Sequence, residues 1–321
     1  MIATVTPNPS VDRTLDVDGF APGRLHRALH VHVHPGGKGV NVARALAAHG
    51  EEAHAIVPYG GAEGEQLLDL LAQRDFRVRA VPAGDRVRMN VAIVEPDGTV
   101  TKINEPGPTL TLADAEALLD AVRELARVAT WVVTCGSVPP GLGTDFHARV
   151  VRAGRAAGVP VAVDASGDAL LQAIAEGPDL VKPNRRELEE AVGRAVATLE
   201  EAVDAAQELR AAGAREVLAS LGADGAVLVG EAGVLVGECA VAAVRSTVGA
   251  GDTLLAGYLA AGGGEPGLER GVSWAAESIG QPGTSLLAPA GASAPVVLLH
   301  HGLVAHQAHD NGRLVREESG E

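Results

Sequence analysis

Short runs of β-branched and other apolar residues alternate along this chain with longer segments that are rich in Ala and Leu and have a helical period. IATVT is followed by VNVARALAAHG, WVVTCG by FHARVVRAGRAAG, and VPVAVD by DALLQAIAEG. Repeated strand–helix units of this kind predict an α/β protein with a parallel sheet and helices on both faces. Because such sheets bind ligands at the carboxyl ends of their strands, we expect function in the loops at that edge.

Two segments interrupt this alternation. Residues 12–34 and 86–104 have the period of β-strands, and the second folds back through the turn sequence Pro96-Asp97-Gly98. They predict a small β-sheet that forms a lid over the main domain, 1–287. Because strands outside the main sheet would leave unpaired edges, we expect the lid to pair with a second subunit in a homodimer. Residues 288–321 lack a sustained helical period and are predicted to be a divergent C-terminal tail.

Composition and charge narrow the classes of function. The 321 residues, 46% of them apolar, suffice for one large α/β domain or two ordinary ones. The net charge of −15 makes nucleic acid and anionic membranes poor partners, so an anionic ligand has to be bound locally. Cys135 and Cys239 form no CxxC pair, which argues against a zinc cluster or a disulfide framework. With neither a leader peptide nor a long apolar stretch in the sequence, we expect a cytoplasmic protein.

The sharpest motif is STVGAGDTLLAG, in which glycines precede an apolar helix. Backbone N–H groups at the positive end of such a helix form an anion site. Asp252 in this motif has two equal interpretations, as a helix N-cap or as a catalytic carboxylate. The motif is neither a Walker A loop nor a GxGxxG dinucleotide loop.

Three further motifs lie where a strand is expected to lead into a helix or turn. PGGKGVNVAR is a glycine loop in which Lys38 brings charge and Asn41 an amide able to bond hydroxyls. VKPNRRELE places polar residues before a helix, and SLGADG follows the strand EVLAS. Each of them is also compatible with a purely structural role as a turn or a helix start.

Taken together and in this order, with TPNPSVD near the start, the motifs resemble the ribokinase-like (PfkB) sugar kinase family from Thr4 to about Thr284. The resemblance implies a three-layer sandwich with a mainly parallel central sheet and a β-sheet lid. VKPNRRELE and SLGADG are most similar to 1-phosphofructokinases, with tagatose-6-phosphate kinases as near relatives. The implied reaction is ATP- and Mg²⁺-dependent phosphorylation of fructose 1-phosphate to fructose 1,6-bisphosphate.

Other functions stay open at this point. Tagatose 6-phosphate or another phosphosugar is the alternative acceptor, since sequence does not separate epimers. A sugar-binding protein without catalysis is less favoured, because a binding module has no need of Asp252. A dinucleotide-dependent oxidoreductase fits the α/β pattern but lacks GxGxxG after the first strand.

The resemblance also implies roles for individual residues. Asp252 is implied as the general base, with the transferring phosphoryl group held by the backbone of Gly249, Ala250 and Gly251. The residues implied for the phosphosugar are Asp12, Gly36, Gly37, Lys38, Asn41, Arg88, Ser137 and Arg27. The residues implied for ATP are Lys182, Asn184, Glu187, Ser220, Gly222, Gly225 and Thr247, and Glu187 is implied to hold Mg²⁺ through water. Residues 281–284 are implied to lie near adenine.

Overall fold

The computed structural model describes residues 1–241, 246–280 and 295–302. Within these residues ten strands form the main sheet, in the order β14-β13-β12-β11-β10-β9-β8-β1-β4-β5. They are β1 Ile2–Val5, β4 Ala53–Tyr59, β5 Arg77–Pro82, β8 Trp131–Cys135, β9 Val161–Asp164, β10 Leu180–Val181, β11 Glu216–Ser220, β12 Ala226–Gly230, β13 Gly233–Cys239 and β14 Val297–His301. Neighbours from β5 to β11 are parallel and those from β11 to β14 are antiparallel, so the prediction of a mainly parallel sheet is confirmed.

Helices cover both faces of the main sheet. They are α1 Lys38–Ala48, α2 Gly61–Ala72, α3 Leu112–Ala126, α4 Phe146–Ala157, α5 Gly167–Ala175, α6 Arg185–Val192, α7 Leu199–Ala211, α8 Ala250–Ala260 and α9 Gly264–Ile279. One buried cluster packs α3 to α7 on the first face, and a second packs α1, α2, α8 and α9 on the other. Because both faces are covered, the central strands are mostly apolar rather than alternating, as in other parallel sheets.

The second sheet confirms the predicted small sheet. Its strands, in the order β3-β2-β6-β7, are β2 Ser10–Asp16, β3 His30–Gly36, β6 Arg88–Val94 and β7 Val100–Asn104. The pairing register places Asp12 beside Asn90 on one face and Val91 beside Ile103 on the other. The lid sheet therefore has one polar face and one apolar face, which is the outcome that its period-2 sequence requires.

Part of the predicted C-terminal tail is a strand. Val297–His301 pairs antiparallel with β13 and becomes the edge of the main sheet, and Val297 and Leu299 pack against the cluster that contains α9. The short apolar sequence VVLL supplies the side chains for this contact. Residues 281–294, which include the segment expected near adenine, lie outside the described residues, as do 303–321.

The position of α8 depends on close packing against α9. A Cβ on Gly257 would lie 2.7 Å from the Cα of Gly271, and one on Gly271 would lie 2.6 Å from the carbonyl oxygen of Leu254. Only glycine at these two positions lets the helices approach this closely. The packing holds the first turn of α8, which contains Asp252, at the carboxyl edge of the main sheet.

Candidate active site

Polar residues converge at the carboxyl ends of the parallel strands. Asp164 ends β9, Lys182 follows β10, and Ser220 ends β11. Residues 136 and 137 follow β8, and the N-termini of α1 and α8 face the same edge. This is the edge at which ligands of open α/β sheets bind.

The structure does not place Asp252 at the N-cap of α8, which was one of its two interpretations. The N-cap of α8 is Gly249, in the left-handed conformation with φ 81°, and no side chain caps this helix. The buried carboxylate of Asp252 instead accepts a hydrogen bond at Oδ2 from Asn41 Nδ2, 2.8 Å away on α1. Burial raises the pKa of Asp252 to about 6, and the nearby charge of Asp164 adds to this effect. A carboxylate held in this way is suited to take up a proton near neutral pH.

A buried group of charges lies beside Asp252. Asp164 has no exposed surface, and its Oδ1 lies 2.6 Å from Lys38 Nζ while its Oδ2 lies 3.0 Å from Lys182 Nζ. Lys38 Nζ also lies 2.8 Å from Glu187 Oε1. Burial alone would raise the pKa of Asp164, but the two ammonium groups outweigh it and hold that pKa below its usual value. Burial likewise opposes the charge of Lys38, and the two carboxylates raise its pKa in spite of it.

Asp164 is one functional-site candidate that sequence analysis missed. The feature that could have revealed it is its position: Asp164 is the last residue of the apolar run VPVAVD, at the carboxyl end of a predicted strand. Lys38, predicted with the phosphosugar residues, places its ammonium group between Asp164 and Glu187 on the nucleotide side. Its side chain therefore links the glycine loop at the start of α1 to the segment that was predicted to bind ATP.

Lys182 lies next to the glycine motif of α8. Its side chain is only 3% exposed, and a Cβ on Gly251 would lie 3.3 Å from Lys182 Nζ. A side chain at position 251 would therefore press on the ammonium group. The ammonium group and the backbone N–H groups of the first turn of α8 are therefore neighbouring donors for an anionic ligand.

The NxxE segment forms a capping box at the start of α6. Asn184 Oδ1 accepts from the backbone N–H of Glu187 at 2.9 Å, and Glu187 Oε2 accepts from that of Asn184 at 2.9 Å. Both residues therefore define the helix start, as one of the sequence interpretations proposed. Glu187 still presents Oε1 to the site, where Lys38 contacts it.

The other residues predicted for ATP lie along neighbouring loops. Ser220 pairs with Asn184 in an isolated parallel bridge. Gly222 and Gly225, with φ of 71° and 79°, begin and follow a short 3-10 helix, and a Cβ on Gly225 would meet the carbonyl oxygen of Gly237 at 2.2 Å. Thr247 is exposed ahead of α8. The loop that contains Gly222 and Gly225 therefore lies close to the backbone at Gly237, which only glycine allows at position 225.

The polar face of the lid sheet carries a hydrogen-bonded group around Asp12. Its Oδ1 accepts from Ser10 Oγ at 2.7 Å and from Asn90 Nδ2 at 2.9 Å. A Cβ on Gly36 would lie 2.3 Å from Asp12 Oδ2, so the carboxylate requires glycine there. Asn90 and Ser10 were not predicted. Each lies two residues from a predicted residue, Arg88 or Asp12, and residues two apart in a strand share a face, so this spacing could have indicated them.

Three of the residues predicted for the phosphosugar are placed differently from one another. Arg88 donates from Nη1 to the carbonyl oxygen of Glu105 at 3.3 Å, and burial lowers the pKa of its guanidinium. Ser137 is exposed at the end of β8, with its Oγ 3.0 Å from Asn8 Nδ2. Arg27 is exposed in the connection between β2 and β3, where its side chain makes no hydrogen bond or ion pair with any residue that the structure describes.

Comparison with known proteins identifies the family. The model of the pfkB family carbohydrate kinases matches residues 5–290. The chain belongs to the pfkB family of carbohydrate kinases. It is therefore an ATP-dependent sugar kinase. The ribokinase-like fold and the family membership that the motifs implied are confirmed. No helix of the described residues is long and apolar enough to cross a bilayer.

The chain is similar to phosphofructokinases in sequence and in structure. It is 40% identical to a 1-phosphofructokinase of Rhodobacter capsulatus over 80% of this chain and 82% of the relative. It is 36% identical to a 1-phosphofructokinase of Bacillus subtilis (strain 168) over 81% and 85% of the two chains. The crystal structure of phosphofructokinase-2 from Escherichia coli in complex with potassium superposes with a TM-score of 0.84 and 35% identity, covering 89% of this chain and 95% of that one.

Proposed function

We propose that this kinase transfers the γ-phosphoryl group of ATP to the C6 hydroxyl of fructose 1-phosphate, giving fructose 1,6-bisphosphate and ADP. The observation that carries the proposal is the buried Asp252 carboxylate in the first turn of α8, beside the Lys182 ammonium group. The names of the relatives supply the substrate.

Each part of the reaction has residues suited to it. The Asp252 carboxylate takes the proton of the acceptor hydroxyl as its oxygen bonds to the γ-phosphorus and the bond from that phosphorus to the β-phosphate oxygen breaks. The backbone N–H groups of Gly249, Ala250 and Gly251, with Lys182, stabilise the negative charge on the transferring phosphoryl oxygens. Asn41 holds Asp252 Oδ2, which leaves the other oxygen for the hydroxyl.

The acceptor fits between the lid and the glycine loop. Asp12 and Asn41 provide polar groups for sugar hydroxyls, together with the close backbone approach at Gly36 and Gly37. The phosphate at C1 would be bound by Arg88 and Ser137, because a guanidinium group and a hydroxyl are strong donors to phosphate oxygens. Lys38 acts behind this group by joining α1 to Asp164 and Glu187.

The residues present fit a magnesium ion that is held mainly by the nucleotide and water. No cluster of three acidic, His or Cys side chains arranged for a metal occurs in the described part of the chain, and Mg²⁺ commonly binds through one carboxylate, water and substrate phosphates. Glu187, whose Oε1 faces the site, would hold it through water. When bound, the ion neutralises phosphate charge during transfer.

The pH dependence of turnover should report the buried base. Because burial raises the pKa of Asp252 to about 6, kcat/KM for the phosphosugar should fall about tenfold per pH unit below about pH 6. Rates measured from pH 5 to pH 8, with the melting temperature followed in parallel to exclude acid unfolding, test this. A profile that stays flat down to pH 5 would argue against Asp252 as the base.

Replacement of Arg88 by alanine should weaken binding of the phosphosugar and leave ATP almost unaffected. A buried cation bonded to a phosphate contributes roughly 1.5–3 kcal/mol, so KM for fructose 1-phosphate should rise about tenfold to a hundredfold. Arg79→Ala is the matched control, since Arg79 lies on the far edge strand β5 and forms an exposed ion pair with Glu124 of α3. Equal increases in both Michaelis constants for Arg88→Ala would place Arg88 away from the acceptor phosphate.

We propose that the apolar face of the lid sheet pairs with a second copy of the chain. Val31 and Ile103 on this face are 51% and 57% exposed, and Leu15 and Val91 lie beside them in the register. Exposed apolar faces of this kind are usually covered by a partner. Ile103→Asp should therefore convert a dimer to a monomer in light scattering at micromolar concentration, whereas Lys102→Glu on the polar face should not. A wild-type monomer would contradict the proposal.

A panel of acceptors tests the proposed substrate. ADP release coupled to a reporter enzyme is measured with fructose 1-phosphate, fructose 6-phosphate, tagatose 6-phosphate and fructose. We expect the highest kcat/KM with fructose 1-phosphate. A higher value with another phosphosugar would replace the acceptor, and no ADP release with any of them would favour a sugar-binding protein without catalysis.

A further inference from the structure

We infer that Asn8 is a positioning residue for the phosphate of the acceptor and acts through the Ser137 hydroxyl. The inference rests on the proposed function, in which Ser137 and Arg88 bind that phosphate. Asn8 lies between β1 and β2, and only 4% of it is exposed. It stands behind the exposed Ser137, so it would set the direction of the Ser137 hydrogen without touching the substrate.

The orientation of the Asn8 amide is fixed by its surroundings. Its Nδ2 lies 3.1 Å from the carbonyl oxygen of Pro106 and 3.0 Å from Ser137 Oγ. A carbonyl oxygen can only accept, so the group that faces Pro106 must be the amide NH2. The same NH2 group therefore donates to Ser137 Oγ.

This contact determines what the Ser137 hydroxyl can do. A hydroxyl has one hydrogen and two lone pairs, and an amide nitrogen cannot accept. Because Asn8 uses a lone pair of Ser137 Oγ, the hydrogen of Ser137 points away from Asn8 and stays available for an acceptor other than Asn8. A phosphate oxygen is an acceptor, so the hydroxyl is prepared to donate to it.

Asn8 also contacts the segment at residues 105–107. It donates to the carbonyl oxygen of Pro106, while Arg88 Nη1 donates to that of Glu105. Gly107 follows with φ 96°, and a Cβ there would lie 2.3 Å from Asn8 Oδ1, so the segment fits closely against the amide. These contacts hold the Asn8 amide in the orientation that donates to Ser137.

The test is a double-mutant cycle on KM for fructose 1-phosphate, with Asn8→Ala, Ser137→Ala and the double variant. Each single change should raise this KM about tenfold, and the double variant should be no worse than Ser137→Ala, since Asn8 acts through that hydroxyl. KM for ATP should change less than twofold in all three. Asp179→Ala, which removes a bond to the Val161 N–H at the opposite ends of the strands, is the control and should behave as wild type.

Asn8→Asp distinguishes a role of Asn8 in positioning the Ser137 hydroxyl from a role in packing. It also provides a second test if Asn8→Ala fails to fold. The carboxylate has the size of the amide but cannot donate, so it would draw the Ser137 hydrogen to itself. We expect this variant to raise KM more than Asn8→Ala, at least thirtyfold, and Ser137→Ala to remove most of the difference between them. A role confined to packing predicts instead that Ser137→Ala leaves the difference between the two Asn8 variants unchanged.

The outcomes distinguish this inference from the proposed function. A raised KM for Ser137→Ala with a normal KM for both Asn8 variants would overturn the role of Asn8 and keep the phosphate site. Additive effects in the cycle would also overturn it. A normal KM for Ser137→Ala would remove the phosphate site and with it the inference, and failure of the wild type to use fructose 1-phosphate would overturn the proposed function itself.

Discussion

Replacing Asp252 with asparagine should lower kcat by at least about a hundredfold and change the Michaelis constants little. The amide has the same size but cannot take the proton of the acceptor hydroxyl, and loss of a positioned general base typically costs a hundredfold to ten thousandfold. The burial of Asp252 and its bond to Asn41 Nδ2 are the features that fit it to this role. Steady-state rates at pH 8, where the wild-type carboxylate is ionised, give the comparison.

Two controls make this result specific. Asp120→Asn removes a carboxylate from an exposed i,i+3 pair with Arg123 on α3 and should keep wild-type kcat. The melting temperature of Asp252→Asn should equal or exceed that of the wild type, because burial disfavours the charged form of Asp252. Unchanged turnover in Asp252→Asn would return Asp252 to a structural role.

The largest effect on stability is expected at Asp164. Asp164→Asn keeps the shape but removes the charge that compensates Lys182, which is 3% exposed. Breaking a fully buried ion pair by removing one partner costs about 3–5 kcal/mol. Urea unfolding should show this loss at pH 7, whereas Asp120→Asn, with its exposed pair, should lose less than about 1 kcal/mol.

The pH dependence of this difference has a definite sign. The two lysines lower the pKa of Asp164 in the folded protein, so its charge stabilises the fold above the pKa of the unfolded state, about 4. This stabilisation is lost as the pH falls from about 4 through the folded-state pKa. The gap in unfolding free energy between wild type and Asp164→Asn should therefore narrow below pH 4. A gap that is absent at pH 7 would show that Asp164 does not compensate the lysines.

The sequence predicted the architecture because hydrophobic period is a local property. The strand WVVTC and the helix after CGSVPPG could be read from their own residues, and so could the alternation of the lid strands. The short strand Val297–His301 was harder, since four apolar residues in a polar segment are compatible with a strand or a helical turn. Its pairing with β13 comes from the edge that the hairpin of β12 and β13 offers.

The site was predictable only where one motif contained the chemistry. From sequence alone, a catalytic Asp252 could not be distinguished from an N-cap residue, because Asn41, which donates a hydrogen bond to its carboxylate, lies 211 residues away. Asp164 was missed for the same reason, since the strand-final residue gains its meaning from Lys38, 126 residues away, and from Lys182. The resemblance to the sugar kinases supplied what spacing alone did not, because it relates motifs that meet only in the folded chain.

The placement of donor groups in the site explains how an acidic chain can bind anionic substrates. A protein with a net charge of −15 repels phosphates at long range, and both proposed substrates are anionic. Arg88, Lys182 and the N–H groups at the start of α8 provide local donors where the phosphates are proposed to lie. We therefore expect selective binding of phosphosugar and ATP without general affinity for polyanions.

Phosphorus NMR of the reaction with ATP and fructose 1-phosphate tests the central claim most directly. A sugar phosphate coupled to the C6 protons should appear as the γ-phosphate of ATP disappears, while the phosphate at C1 is retained, and Asp252→Asn should form this product at least a hundredfold more slowly at equal protein concentration. Transfer to another carbon, ATP hydrolysis to inorganic phosphate alone, or an equal rate for the variant would contradict the proposed reaction.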